Sequence, residues 1–218
     1  MKHSLLCLVV LLLPWTVSAL DMSEQAVLVG HLRLGLSGSD KFGYTIGHEL
    51  QDEHDQRMKP LENEIGFGVS LSYRRGITPS VLIGVSVDYL KSGTMKGEGV
   101  DEVREQQAQT DTLSGPLGSY ELYGLGVSLH PGITLTEQMM LFAELGLGGY
   151  TARIAGNAQE LNAALNVGLA LDYFLSESLG FELSARMPLF LSEFVFLDEG
   201  YSLDPSPLQI SLGVTWLR

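Results

Sequence analysis

Cysteine and basic residues are both scarce in this sequence. The single cysteine, Cys7, lies in an N-terminal apolar run, which excludes disulfides and thiolate catalysis in the rest of the chain. The chain has 13 Lys and Arg against 26 Asp and Glu, which gives a formal net charge of −13. This balance argues against nucleic acid as a partner, because phosphate binding needs clustered Lys and Arg.

Long apolar runs are absent after the first residues, so no later segment is predicted to be a transmembrane helix. At the start, Lys2 and His3 precede the run SLLCLVVLLL, and Val17 and Ala19 occupy the small-residue positions of a cleavage site. The run has about ten residues, whereas a spanning helix needs roughly 20. We therefore predict a cleaved signal peptide at 1–19 and one mature domain at 20–218.

Helical periodicity is nearly absent as well. In LNAALNVGLALDYF, every second position from Leu161 is apolar or aromatic, which is the period of a β-strand with two unlike faces. Such stretches predict strands at 25–38, 62–75, 80–92, 118–131, 139–154, 161–174, 179–193 and 207–218. The second, fourth and sixth are followed by short connections, and most of the others by longer polar ones. This alternation predicts an all-β, up-and-down barrel of antiparallel hairpins.

The direction of the apolar face decides between a lipocalin-like soluble barrel and a transmembrane barrel. The other face consists largely of very small residues, among them Gly66, Gly68, Ser70, Ser72, Gly84, Ser86, Gly124, Gly126, Ser128, Gly146 and Gly148. Small residues suit the crowded interior of eight strands, whereas glycine on a wet face would only weaken a strand. We therefore predict an eight-stranded antiparallel transmembrane β-barrel whose apolar face contacts lipid.

Charges of both signs share the small-residue face. By the alternation they are Arg33, Glu64, Arg74, Asp88, Glu144, Asp172, Glu182 and Arg186, with His31 beside them. Buried charges need partners and hydrogen bonds. These residues are therefore predicted to form a coupled network inside the barrel.

Aromatic residues are predicted to form two bands around an aliphatic belt. Near the short-turn end they are Tyr73, Phe142, Tyr173, Phe174 and Trp216. Near the long-loop end they are Tyr89, Tyr120, Tyr123, Tyr150 and Phe190. Such bands are typical of the interfacial girdles of membrane barrels.

The last strand, SLGVTWLR, is similar to the C-terminal assembly signal of bacterial outer-membrane proteins. Ser211, Gly213 and Trp216 match that signal, and Arg218 stands where a terminal aromatic residue is usual. With the signal peptide and eight strands, the whole mature chain resembles the small outer-membrane barrels of the OmpA-transmembrane and OmpX type. The resemblance implies secretion to the periplasm and insertion into the outer membrane of a Gram-negative bacterium. It also implies three partners: the assembly machinery, outer-membrane lipid and lipopolysaccharide.

Some small outer-membrane barrels modify lipid A, which needs a His, a Ser and an acid converging near the outer leaflet. Here His130 is followed by Pro131 rather than by the His-x-Ser-Asn pattern of the deacylases, and no Ser–His–acid set is visible. His48 and His54 lie in an acidic stretch of the first long connection, but their spacing matches no strong metal-ligand motif. We therefore predict no catalytic residue, cofactor or metal.

The expected role is structural or surface-interacting, with an unidentified surface ligand. The alternatives are a narrow channel for small or apolar molecules and, less favoured, a lipid A-modifying enzyme. The polar connections that contain KGEGVDEVREQQAQTD and LDEGYSLDPS are expected to be acidic outer loops. They could keep the surface soluble, or contact lipopolysaccharide phosphates through divalent cations.

Overall fold

A computed structural model describes residues 22–23, 25–36, 40–44, 59–110, 118–154, 157–158, 161–196 and 201–218. The predicted signal peptide and the acidic stretch with His48 and His54 lie outside these residues. The strands are β1 (Ala26–Leu36), β2 (Lys41–Tyr44), β3 (Lys59–Pro60), β4 (Glu62–Asn63), β5 (Gly66–Thr78), β6 (Val81–Lys91), β7 (Met95–Lys96), β8 (Tyr120–Thr136), β9 (Met139–Ile154), β10 (Asn157–Ala158), β11 (Asn162–Phe174), β12 (Leu179–Phe190), β13 (Phe194–Phe196), β14 (Tyr201–Asp204) and β15 (Leu208–Leu217). A helix, α1 (Glu98–Thr110), follows β7.

Eight of these strands form a closed barrel. In order around the ring they are β1, β5, β6, β8, β9, β11, β12 and β15, and every neighbouring pair is antiparallel. The first and last strands close the ring, and the backbones of Ala26 and Arg218 exchange hydrogen bonds of 2.9 and 2.8 Å. The eight-stranded antiparallel up-and-down barrel predicted from the sequence is confirmed.

The apolar face of the barrel points outward. On β5, Phe67, Val69 and Leu71 are 67%, 51% and 52% exposed, whereas Ser70 and Ser72 between and beside them are buried. Leucine, valine and isoleucine are likewise exposed around the other barrel strands. A continuous apolar outer wall is stable against lipid and not against water, so the barrel is a transmembrane one.

The interior has no room for larger side chains at its glycines. A Cβ atom on Gly146 would lie 2.6 Å from the carbonyl oxygen of Val127, and one on Gly124 would collide with the ring of Tyr150. The narrow interior of eight strands therefore explains why so many inward positions are small.

The aromatic bands are thinner than the sequence predicts. Tyr73, Tyr173, Trp216 and Tyr123 do lie on the outer wall, each between 40% and 47% exposed. Other members of the predicted bands are buried inside the barrel instead, namely Phe142, Phe174, Tyr120 and Tyr150. Adjacent strand residues face opposite sides, so Tyr173 and Phe174 cannot both contact lipid.

Short elements cover the long-loop end, and we call them the cap. The cap comprises a four-stranded sheet in the order β13-β14-β2-β3, the pair β4–β7 and helix α1. The sequence predicts a loop where α1 lies. The helix has few apolar residues, but Val100 and Val103 share one face and are fully buried. Glu98 and Asp101 stand in its first turn, where acidic side chains favour a helix. Among the described residues, none of the helices is long and apolar enough to cross a membrane.

Candidate functional site

Glu182 on β12 is the centre of one half of the charged interior. Its carboxylate accepts two hydrogen bonds from the Arg74 guanidinium, with Nη1–Oε2 and Nη2–Oε1 distances of 2.5 and 3.1 Å. The Nε2 atom of His31 lies 2.7 Å from Oε1 of the same carboxylate. Asp172 lies directly across the β11–β12 pair from Glu182 and is fully buried. The side chains of His31, Arg74 and Glu182 connect the three strands β1, β5 and β12. Both carboxylate oxygens of Asp172, in contrast, are buried without a hydrogen-bond partner among the described residues.

Asp88 on β6 is the centre of the other half. Its two carboxylate oxygens lie 2.8 Å from Nη1 of Arg33 and 3.1 Å from Nη2 of Arg186. Arg186 also places Nε 3.5 Å from Glu144 and donates a 2.6 Å hydrogen bond to the Tyr150 hydroxyl. Apart from Asp172, which lies beside the Glu182 carboxylate, the cations thus alternate with carboxylates, which is the arrangement that buried charges require.

Seven of the eight charged residues expected inside the barrel face its interior: Arg33, Arg74, Asp88, Glu144, Asp172, Glu182 and Arg186. The prediction for Glu64 is wrong. Its exposed carboxylate lies outside the barrel, 2.6 Å from Nζ of Lys96, and this pairing holds the pKa of Glu64 below its ordinary value. The cause is local, because β5 begins only at Gly66 and the residues before it belong to the cap, so the alternation does not extend to Glu64.

Ser70, His31 and Glu182 have the connectivity of a hydrolytic triad, which the sequence pattern does not reveal. His31 Nδ1 lies 2.9 Å from the Ser70 hydroxyl, and its Nε2 faces Glu182. The three residues come from three separate strands, so no local spacing could indicate them. All three side chains are buried, and the Glu182 carboxylate is also engaged in an ion pair with Arg74. The adjacent cavity, which both His31 and Glu182 line, measures about 10 Å³. A cavity of this size holds about one water molecule and is too small for a substrate.

Metal binding has no evident centre in the charged interior. Among the residues that the structure describes, His, Cys, Asp and Glu nowhere form a group of three or more able to hold a metal ion. What the arrangement does provide is a set of ion pairs across the barrel.

A second, apolar layer lies between the charges and the cap. The barrel wall supplies Leu90, Tyr120, Leu122, Tyr150, Ala152, Ile154 and Ala164, and the cap supplies Phe42, Leu61, Met95, Val100, Val103, Phe194, Phe196 and Leu203. All are buried, and the ring of Phe190 packs edge-on against both Tyr150 and Phe194, with centroids 5.2 Å apart in each pair. The cap therefore plugs the long-loop end with a hydrophobic core of its own.

Asp40 ties the cap to the barrel wall. Its Oδ2 accepts hydrogen bonds from Asn63 at 2.5 Å and from the Tyr120 hydroxyl at 3.0 Å. Its Oδ1 accepts one from the backbone N–H of Ser206 at 2.6 Å, and its carbonyl accepts one from Leu61. Burial raises the pKa of the Asp40 carboxyl above its ordinary value, although the three hydrogen bonds to the carboxylate act in the opposite direction. This one carboxylate therefore links strand β8 with segments of two long connections, those between β1 and β5 and between β12 and β15.

The sequence itself matches no protein-family model and no curated protein. The structure matches outer membrane protein OprG from Pseudomonas aeruginosa with a TM-score of 0.63 and 12% identity, covering 91% of this chain and 97% of that one. It matches outer membrane protein AlkL with a TM-score of 0.56 and 13% identity, covering 94% and 95%. It matches Neisserial surface protein A with a TM-score of 0.55 and 12% identity, covering 88% and 97%. The chain has the fold of the small eight-stranded outer-membrane β-barrels.

The residues of the predicted assembly signal divide between the two sides of this barrel. Ser211 is buried inside, and a Cβ atom on Gly213 would lie 2.6 Å from the ring of His31. Trp216 is on the outer wall, 47% exposed. Of the three, Trp216 alone therefore presents a large side chain to the surroundings of the folded barrel.

Proposed function

We propose that this chain is an outer-membrane protein with a closed barrel and a structural or surface-interacting role, without catalysis. The exposed apolar wall and the fold support the outer-membrane location. The burial of Ser70, His31 and Glu182 supports a non-catalytic role. The assembly machinery would recognise the last strand through Ser211, Gly213 and Trp216, and outer-membrane lipid with lipopolysaccharide would surround the wall. The cap would then face the cell exterior and present the surface for an external ligand.

The observation that carries this proposal is the double closure of the interior. Arg33, Arg74 and Arg186 pair with carboxylates across the barrel, and the cap core seals the space above them. A conducting barrel of eight strands would need small interior residues along its whole length, because the lumen is only as wide as the side chains that fill it.

Conductance tests this proposal directly. The mature protein is refolded into planar bilayers and into sugar-loaded vesicles, with a general porin at the same density as the positive control. We expect no stepwise current and no sugar release. Currents or release that scale with the amount of folded protein would overturn the closed-barrel role.

Passage of apolar molecules is the second candidate function, and the composition of the upper interior favours it. A water-filled lumen is polar, yet the wall beneath the cap is formed by Leu90, Leu122, Ile154 and neighbouring apolar residues. If the cap opened, this wall would accept an apolar molecule. Uptake of an apolar fluorophore into vesicles that remain closed to ions and sugars would support this second function, and equal uptake with and without the protein would remove it.

A further inference from the structure

Asp172 on β11 is a buried carboxyl group that lacks a hydrogen-bond donor. Its side chain is fully buried, and among the described residues neither of its oxygens has a hydrogen-bond partner. It forms no ion pair with them either, and the guanidinium of Arg74 is engaged with Glu182 instead. An ionised carboxylate in this position would be strongly destabilised, since burial removes the water that solvates its charge. Asp172 therefore needs a ligand that compensates its charge.

The charges of the barrel interior do not balance within the part of the chain that the structure describes. The guanidinium groups are those of Arg33, Arg74 and Arg186, and the carboxyl groups are those of Asp88, Glu144, Asp172 and Glu182. All of these carboxyl groups except Asp172 lie at most 3.5 Å from a guanidinium nitrogen. When the histidines are neutral, one proton on the remaining carboxyl group makes the interior neutral.

The surroundings of Asp172 suit a proton better than a metal ion. Its neighbours on the inner face of β11 are Ala170 and Phe174, and Met140 lies opposite on β9. All three belong to a buried apolar layer at the short-turn end of the barrel. The cavity of about 10 Å³ in the charged interior borders Glu182 but not Asp172. A bound Ca²⁺ or Mg²⁺ needs about six oxygen ligands around it, whereas a proton needs one acceptor.

Glu182 is the acceptor that such a proton would use. It stands directly across the β11–β12 pair from Asp172, and the two carboxyl groups are within hydrogen-bonding reach. Its Oε1 atom already accepts from Arg74 and His31, whereas its Oε2 atom accepts from Arg74 alone. A carboxylate has about four acceptor positions, so Oε2 has a position left for the O–H group of a protonated Asp172. Two ionised carboxylates in the same place would repel each other.

The other ionisable groups around the pair do not supply this donor. His31 on β1 contacts Glu182 and Ser70, so a proton on its ring would not reach Asp172. Arg74 on β5, His130 on β8 and Glu144 on β9 line the same small cavity as Glu182. Within the described residues, none of these groups forms a hydrogen bond with Asp172. Charging either histidine would therefore leave Asp172 unsatisfied.

We propose that Asp172 and Glu182 form a proton-binding site, in which Asp172 carries one proton and donates it as a hydrogen bond to Glu182. The proton is taken from water as the barrel closes, and the apolar layer and the cap then separate it from solvent. Arg74 and His31 hold the accepting carboxylate in place from the other side. This inference goes beyond the proposed surface role and rests on the barrel interior alone.

Infrared spectroscopy of the refolded mature protein in lipid vesicles tests the site. At neutral pH the exposed carboxyl groups are ionised, so a carbonyl stretch of a protonated carboxylic acid reports a buried one. We expect this band in the unchanged protein and its loss in Asp172→Asn. The asparagine amide still donates to Glu182, so the unfolding equilibrium constant should change less than about threefold. If Asp172 were ionised, the same substitution would remove a buried like charge and lower that constant more than about tenfold.

The matched control is Asp40→Asn, the same substitution at the buried carboxyl group of the cap, and the Asp172 band should survive in it. If Asp172→Asn fails to fold, the Asp40→Asn protein is labelled with a heavier isotope at the aspartate carboxyl carbons. A shifted acid band then reports Asp172, because Asp88 lies between two arginines. The absence of an acid band, or a band that persists in Asp172→Asn, would overturn the site. So would a stability that falls in the unchanged protein, but not in Asp172→Asn, when sodium is replaced by choline, because a cation would then occupy the site.

Conductance tests the closed-barrel role separately. An acid band in a conducting barrel would overturn that role and support the proton site.

Discussion

Arg74 on β5 and Glu182 on β12 form a two-point ion pair across the barrel, although 108 positions separate them in the chain. Both side chains are at most 3% exposed. The pair connects strands that are not neighbours in the sheet, so it stabilises the closed cross-section rather than one hairpin. Because neither group has access to water, each depends on the other for its stability.

Removing one partner of this pair should be costly. Arg74→Ala leaves the buried Glu182 carboxylate without its guanidinium partner, and we expect a loss of about 3–5 kcal/mol in the free energy of unfolding. Urea unfolding in lipid vesicles, followed by tryptophan fluorescence, measures the change. Lys96→Ala removes an exposed cation from the pair with Glu64 and serves as the control, with no measurable loss expected. If Arg74→Ala lowered the free energy of unfolding no more than Lys96→Ala does, the interior of the barrel would be hydrated.

The sequence predicts the barrel because its strands obey a strict period of two and because lipid and a crowded interior demand opposite residues on the two faces. The same rule predicts that Arg74 and Glu182 face inward. It cannot predict that they meet, because that contact depends on the tilt and register of strands far apart in the chain. The Ser70–His31–Glu182 connection cannot be predicted for the same reason.

The cap is the part of the fold that sequence patterns do not predict. The alternation places Glu64 inside only when it is extended beyond the first residue of β5, into a segment that belongs to the cap. Helix α1 has the sequence of a loop because, among its residues whose burial is described, Val100 and Val103 are the apolar ones on the buried face. Their burial is decided by packing against cap strands from distant parts of the chain, so no local pattern contains this information.

The outward direction of the apolar face gives a second prediction. Val167 stands on the outer face of β11 opposite Leu145, whereas its neighbour Asn166 is buried and accepts a hydrogen bond from Tyr150. Val167→Arg places a charge near the centre of the bilayer, which should cost about 2–4 kcal/mol. Glu137→Arg, in the exposed turn between β8 and β9, is the control and should cost about 0–1 kcal/mol. Unfolding in lipid vesicles measures the loss of stability in both variants. If the two losses were equal, the outward orientation of Val167 or its depth in the bilayer would be assigned wrongly.

Asp40 gives a third prediction. Asp40→Ala removes the acceptor of three donors, from Asn63, Tyr120 and Ser206, and each donor left unpaired in a buried site costs about 1–3 kcal/mol. The cap should therefore open more often while the barrel strands stay intact. Amide hydrogen exchange of the cap strands measures the opening. Asp101→Ala on the exposed side of α1 is the matched control and should change the free energy of cap opening by less than about 0.5 kcal/mol. If the cap amides of the Asp40 variant exchanged as slowly as those of the unchanged protein, the apolar core alone would hold the cap.

The raised pKa of Asp40 sets the direction of a pH dependence. A carboxyl whose pKa is higher in the closed cap than in the open one binds its proton more tightly when closed. Its contribution to cap stability is therefore fully present below the ordinary value near 4 and is lost as the pH rises through the raised value. The free energy of cap opening, measured by hydrogen exchange of the Ser206 amide after correction for the intrinsic rate, should fall as the pH rises from about 4 toward neutrality. Asp40→Asn removes the titrating group, so its opening free energy should vary less with pH. If the unchanged cap instead became more stable over this range, the hydrogen bonds to the ionised carboxylate would outweigh its burial, and the pKa of Asp40 would lie below its ordinary value.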